Sequence, residues 1–109
     1  MAVQLLVQQK GPLPIKVTFN SLTSGPVYLE VNGTVWSQSA NQMLGIKIGV
    51  DGTPAGTAQI FSNGASTHRA VVPAYIALKL DQGQHTLTLD NDANTVSDFN
   101  DLYTAVIHY

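Results

Sequence analysis

A chain of 109 residues fits one domain, residues 1–109, since two separate cores could hardly be built from that length. It is 44% hydrophobic and only 11% charged, against roughly 25% charged in ordinary soluble domains, so its surface falls to Ser, Thr, Asn, Gln and Gly, and partner subunits are expected to cover part of it. A net charge of -2 with five scattered cations, Lys10, Lys16, Lys47, Arg69 and Lys79, excludes a nucleic-acid footprint, and the lack of cysteine excludes disulfides, thiolate metal sites and a thiol nucleophile.

The opening run from Met1 to Val7 has no basic leader and turns polar at Gln8. It is too short for a signal peptide or a membrane span, and it reads as the first strand of a protein made without a leader, cytoplasmic or released by a non-classical route. Turn signals then recur at Gly11-Pro12, Ser24-Gly25-Pro26, Asn32-Gly33, Asp51-Gly52, Asn63-Gly64 and Gln82-Gly83. Asn32-Gly33-Thr34 matches a glycosylation sequon, but Asn-Gly is the strongest short turn signal, so a hairpin turn is expected there.

Between the turns the pattern has period two. Ile15, Val17 and Phe19 oppose Lys16, Thr18 and Asn20, and Val27, Leu29 and Val31 oppose Tyr28, Glu30 and Asn32. Leu44, Ile46, Ile48 and Val50 oppose Gly45, Lys47 and Gly49, and Ala58 with Ile60 and Leu87 with Leu89 continue the alternation. The apolar run from Ala70 to Leu80 resembles a helix in composition, yet Pro73 interrupts it and Val71, Val72 and Ile76 are β-branched, so two strands joined at Pro73, or one bent edge strand, are expected. The last strand, from Leu102, places Tyr103, Ala105, Ile107 and Tyr109 on one face, in a sheet beside the first strand. Eight to ten such strands predict an all-β, antiparallel β-sandwich of immunoglobulin-like or jelly-roll type.

Three segments are candidates for chemistry. Four of the seven acids, Asp90, Asp92, Asp98 and Asp101, fall within twelve residues together with Asn100. Calcium takes six to eight oxygens from such groups, so this stretch is a candidate calcium loop; equally, Asp and Asn dominate plain turns, and Asn100-Asp101 are expected to cap backbone amides where the last strand begins. Ser66-Thr67-His68-Arg69 contains the only arginine, whose planar fork suits a carboxylate of a ligand or of the aspartates, while His68 reads first as a hydrogen-bonded residue at a strand end. Trp36, next to a polar loop that includes Asn41, offers either core packing or a flat face for a sugar ring. No nucleophile motif, phosphate loop or zinc spacing is present, so an enzyme is not expected.

The short strands, the Trp36 segment leading into Leu44-Gly45-Ile46-Lys47-Ile48 and the closing strand resemble the compact jelly rolls of the tumour necrosis factor and complement C1q type, which also occur as small bacterial lectins. That resemblance implies a homotrimer with ligands held between subunits. Asp98-Phe99-Asn100-Asp101 resembles the D-x-N-D end of the calcium loop in small soluble bacterial lectins, which implies Asp98, Asn100 and Asp101 as calcium ligands; Val96 stands where that pattern has another aspartate, and Tyr109 replaces its terminal glycine. The function expected is an oligomeric, non-enzymatic carbohydrate-binding module, with Trp36, His68, Arg69 and Asn41 at the ligand and calcium at Asp90, Asp92, Asp98, Asn100 and Asp101. The alternative is an assembly protein such as a virion, tail-fibre or surface component.

Overall fold

The alternating segments form nine strands in the computed structural model, which describes residues 2–109. They are β1 (Val3–Lys10), β2 (Ile15–Ser21), β3 (Gly25–Val35), β4 (Gln42–Val50), β5 (Thr53–Ser62), β6 (Arg69–Ala70), β7 (Ala74–Leu80), β8 (Gly83–Asn91) and β9 (Leu102–His108). All pairings are antiparallel, in two sheets. The first sheet runs β1-β9-β3, with β7 and then β6 along the far side of β3; the second runs β2-β8-β4-β5. The fold is thus an all-β jelly-roll sandwich, and none of its described residues forms a helix long and apolar enough to cross a membrane.

The core follows from the period-two pattern. Val27, Leu29, Val31, Tyr103, Ala105 and Ile107 project inward from the first sheet, and Leu44, Ile46, Ile48, Leu87 and Leu89 meet them from the second, all at most 2% exposed. Burying each such side chain contributes about 1.5–3 kcal/mol before conformational entropy is set against it. The chain breaks at Val71-Val72-Pro73, as proline requires, where the Val72 N–H leaves β3 and donates to the Gln59 carbonyl of the opposite sheet (2.9 Å).

One expected turn is absent. Asn32-Gly33 lies inside β3, which runs unbroken to Val35, and Asn32 pairs with Thr104. Glycine is there for clearance, because a Cβ at Gly33 would collide with the Tyr103 ring and approach Ile46 Cδ1 to 2.9 Å. Local turn chemistry yields to the long-range packing of β9 on β3.

Candidate functional site

The β3–β4, β5–β6 and β8–β9 connections meet at one end of the sandwich, held by backbone bonds between Trp36 and Val96 (3.0 and 2.8 Å) and between the Ser66 N–H and the Ser37 carbonyl (2.7 Å). Gly11, from the β1–β2 connection, donates to the Asp101 carbonyl (2.8 Å), and the Leu13 N–H to Ser97 Oγ (2.9 Å).

Asp101 is the pivot of this end. Its carboxylate is fully buried and takes three donors: the Thr34 hydroxyl (2.8 Å), the Asp98 N–H (2.8 Å) and His68 Nδ1 (2.7 Å). The expected capping role is therefore realised on the Asp98 amide, while Asp98 Oδ1 accepts from the Asn100 N–H (2.8 Å). The Asp101 hydrogen bond holds the His68 imidazole above its ordinary value, with charge attraction to Asp101 and Asp98 adding to it. His68 Nε2 stands 3.7 Å from Asp98 Oδ2, and both side chains are 38% exposed.

His68, Asp98 and Asp101 present one ligand atom each within 4.8 Å, a grouping able to hold a metal ion. Its imidazole suits a transition metal better than calcium, which wants oxygens alone, and the Asp101 oxygens are already taken. Asp90 and Asp92 lie outside this group: Asp90 sits on β8, and the Asp92 N–H donates to the Gly45 carbonyl (3.0 Å), with its carboxylate over Gly45. The acidic stretch is thus divided between two places, because the Trp36–Val96 bridge turns the chain between Asp92 and Asp98.

The candidate ligand residues are only partly brought together. Trp36 stacks on His68 (ring centroids 5.8 Å, 38° between planes), and its indole N–H is buried without an acceptor among the described residues, so the ring serves first as packing in this joint. Arg69 pairs its backbone with Val35 and makes no ion pair among the described residues; every such pair there involves a histidine. The expected arginine bridge to an aspartate is therefore not formed among the described residues. Asn41, at φ 58°, turns the chain into β4.

Next to this knot lies a cleft of about 180 Å³, of which the sequence marked one wall, the polar loop after Trp36. Ser37, Gln38 and Ser39 form one wall, and Asn94, Thr95 and Val96 the other. Ser37 Oγ accepts from the Ser39 N–H (3.2 Å), and Thr95 Oγ1 accepts from the Gly45 N–H (3.0 Å), so the two walls are fixed from behind. Hydroxyls and amides line it, with no charged side chain, which suits a neutral hydroxylated molecule. The polar loop after Trp36 was the available signal; its partner Asn94 could be placed only by the fold.

No family model matches this chain, and no curated protein matches it. Solved structures do share its fold. A family 35 carbohydrate-binding module from Clostridium thermocellum matches 95% of this chain and 86% of its own length at 18% identity and a TM-score of 0.55. The EclA C-terminal domain, a sugar-binding protein, matches 93% and 69% at 18% identity and 0.54. The CBM36-1 domain of a multidomain xylanase from the hindgut metagenome of Trinervitermes trinervoides matches 99% and 98% at 16% identity and 0.52. The likeness therefore lies with the jelly-roll sandwich of carbohydrate-binding modules; these matches do not carry the narrower tumour necrosis factor and C1q resemblance or its trimer.

Proposed function

We propose that the protein is a non-enzymatic carbohydrate-binding module that receives its ligand at the loop end. The observation that carries this reading is the uncharged cleft between Ser37-Gln38-Ser39 and Asn94-Thr95-Val96. A sugar presents hydroxyls that both donate and accept, and Gln38, Ser39 and Asn94 offer matching pairs of donors and acceptors. His68 and Asp98, both open to solvent, extend the same end with a further donor and acceptor. The fold likeness to proteins described as carbohydrate-binding modules is consistent with this chemistry.

A glycan array probed with and without chelator tests the reading. Binding to a defined set of neutral glycans, reduced at least tenfold by Gln38→Ala with Asn94→Ala, is the expected result. A flat response across the array would end it. The donor set at His68, Asp98 and Asp101 does not form an oxygen cage, so chelator is expected to leave binding within twofold.

Assembly through subunit packing is a second reading, favoured by the outer face of the first sheet. Val3, Leu5, Tyr28, Tyr75 and Leu102 are each more than half exposed there. Repeated sites in an oligomer, the expected trimer included, would raise avidity by about 10² to 10⁴. Light scattering over a concentration series separates the cases: a stable monomer at micromolar concentration removes the oligomer but leaves the cleft.

A further inference from the structure

A hollow of about 330 Å³ lies away from the loop end, on the outer face of the second sheet. Its floor is β4. With Leu44, Ile46, Ile48 and Val50 turned into the core, that strand's outer row reads Met43, Gly45, Lys47, Gly49. Glycine weakens a central strand, so each of the two asks for a reason. Gly45 has one: a Cβ there would meet Thr57 Cγ2 at 2.9 Å, the Ala58 carbonyl at 3.1 Å and Asp92 Oδ2 at 3.1 Å. Gly49 has none in packing, since its nearest neighbours would be the Thr53 carbonyl at 3.6 Å and Thr88 Cβ at 3.9 Å, ordinary contacts. What its missing side chain leaves is the hollow itself.

Two further features shape the space. The β4–β5 register slips between Ile48 and Gly49, so that Ile48 pairs with Gly56 and Gly49 with Pro54, a bulge beside the floor. Lys47 and Asp90, cross-strand partners, stand together at its side. Among the described residues Lys47 makes no ion pair and the Asp90 carboxylate accepts only from the Asn91 N–H next to it (2.8 Å). A cationic donor and an anionic acceptor thus flank a floor of glycine backbone, Pro54 and threonine methyls.

We infer that this hollow is a second carbohydrate site, independent of the loop-end cleft and sized for one or two sugar rings. The inference rests on the carbohydrate-binding reading. A pyranose has an apolar C–H face, which lies on Gly49 and Pro54, and an edge of adjacent hydroxyls, which donate to Asp90 and accept from Lys47. The opposite charges cancel, so neither a phosphate nor a cation is drawn in. Its volume is at the low end of the roughly 300–1,000 Å³ of small-ligand sites, which favours a short sugar over a polymer chain.

Nitrogen-15 NMR titration of the whole chain with galactose, mannose, xylose, fucose and their common disaccharides tests it. The amides of Gly49, Thr57 and Thr88 are expected to shift, with a saturation curve separate from that of Ser39 and Asn94. Gly49→Leu fills the floor, and Asp90→Ala with Lys47→Ala removes the polar edge without adding bulk. Either change is expected to weaken the shifts at the hollow at least tenfold and to leave the loop-end shifts unchanged. Should Gly49→Leu fail to fold, the Asp90 and Lys47 variant is sufficient by itself, and undiminished shifts at the hollow in that variant would overturn the site. Shifts at the loop end only would overturn the second site and keep the carbohydrate reading. Shifts at neither place would overturn both.

Discussion

At the loop end, the Asp101 carboxylate takes donors from Thr34, Asp98 and His68, so three connections are fixed by polar groups that satisfy one another. On the second sheet, Lys47 and Asp90 stand side by side with no ion pair among the described residues, over a floor kept open by a glycine that packing does not require. The first region is made by adding contacts and the second by leaving a side chain out. A conspicuous cluster of acids is thus partly a clasp, and unsatisfied groups beside empty space are the better pointer to a ligand.

The largest expected effect breaks the clasp. Asp101→Ala leaves the Thr34 hydroxyl and the Asp98 N–H without their part-buried acceptor and frees the His68 ring, and should cost about 3 kcal/mol in urea unfolding. A loss below about 1 kcal/mol would show that the loop end does not depend on this carboxylate.

A pair of substitutions then sharpens the contrast between the two glycines on β4. Gly45→Ala forces Thr57 and Asp92 aside and should lower stability by about 1–2 kcal/mol. Gly49→Ala meets only ordinary contacts and should raise stability by about 0.5 kcal/mol, because alanine loses less backbone freedom in a strand. Equal effects from the two, measured by thermal unfolding, would remove the argument that Gly49 serves the hollow.

The smallest effect is a pH dependence at the clasp. The His68 value is raised by its Asp101 bond above the ordinary 6.5, so the native state binds this proton more tightly than the unfolded chain. That stabilisation is fully present below about pH 6.5 and is lost as pH rises through the raised native value. His68→Asn should therefore narrow its gap to the parent protein between pH 6 and 9, by under about 1 kcal/mol after solvent screening. At the opposite end of the sandwich, His85 is raised by its hydrogen bond to Asp51, and His85 in turn lowers Asp51. That pair should act in the window where both are charged, above about pH 4 and through about pH 6.5.

Much of the fold was legible because burial imposes its period directly on the strands. The inward rows of β3, β4 and β9, the break at Pro73 and the closing strand beside β1 all follow from alternation and proline chemistry. The turn expected at Asn32-Gly33 failed because a glycine serves clearance as readily as a turn, and the Tyr103 that needs the clearance lies seventy positions along the chain. The site was legible in parts. His68 and Asp101 each stand out in the sequence, yet their bond spans 33 positions, while Arg69, beside His68 in sequence, takes no part in it. The Gly45-Lys47-Gly49 row was visible as the solvent side of a strand, without a sign of which glycine was packed over and which was open.

Composition and alternation by themselves determined an all-β sandwich with a low-charge surface, because the hydrophobic effect acts on each strand wherever its partners lie. Tertiary structure alone decided how the acidic stretch divides, sending Asp90 and Asp92 to the second sheet and Asp98 and Asp101 to the loop end. It alone also decided that a cleft unites Ser39 with Asn94 and that a hollow opens over Gly49. The physical reason is that hydrogen bonds and open volume depend on groups far apart in sequence meeting within a few ångströms, and local patterning carries no record of those distances.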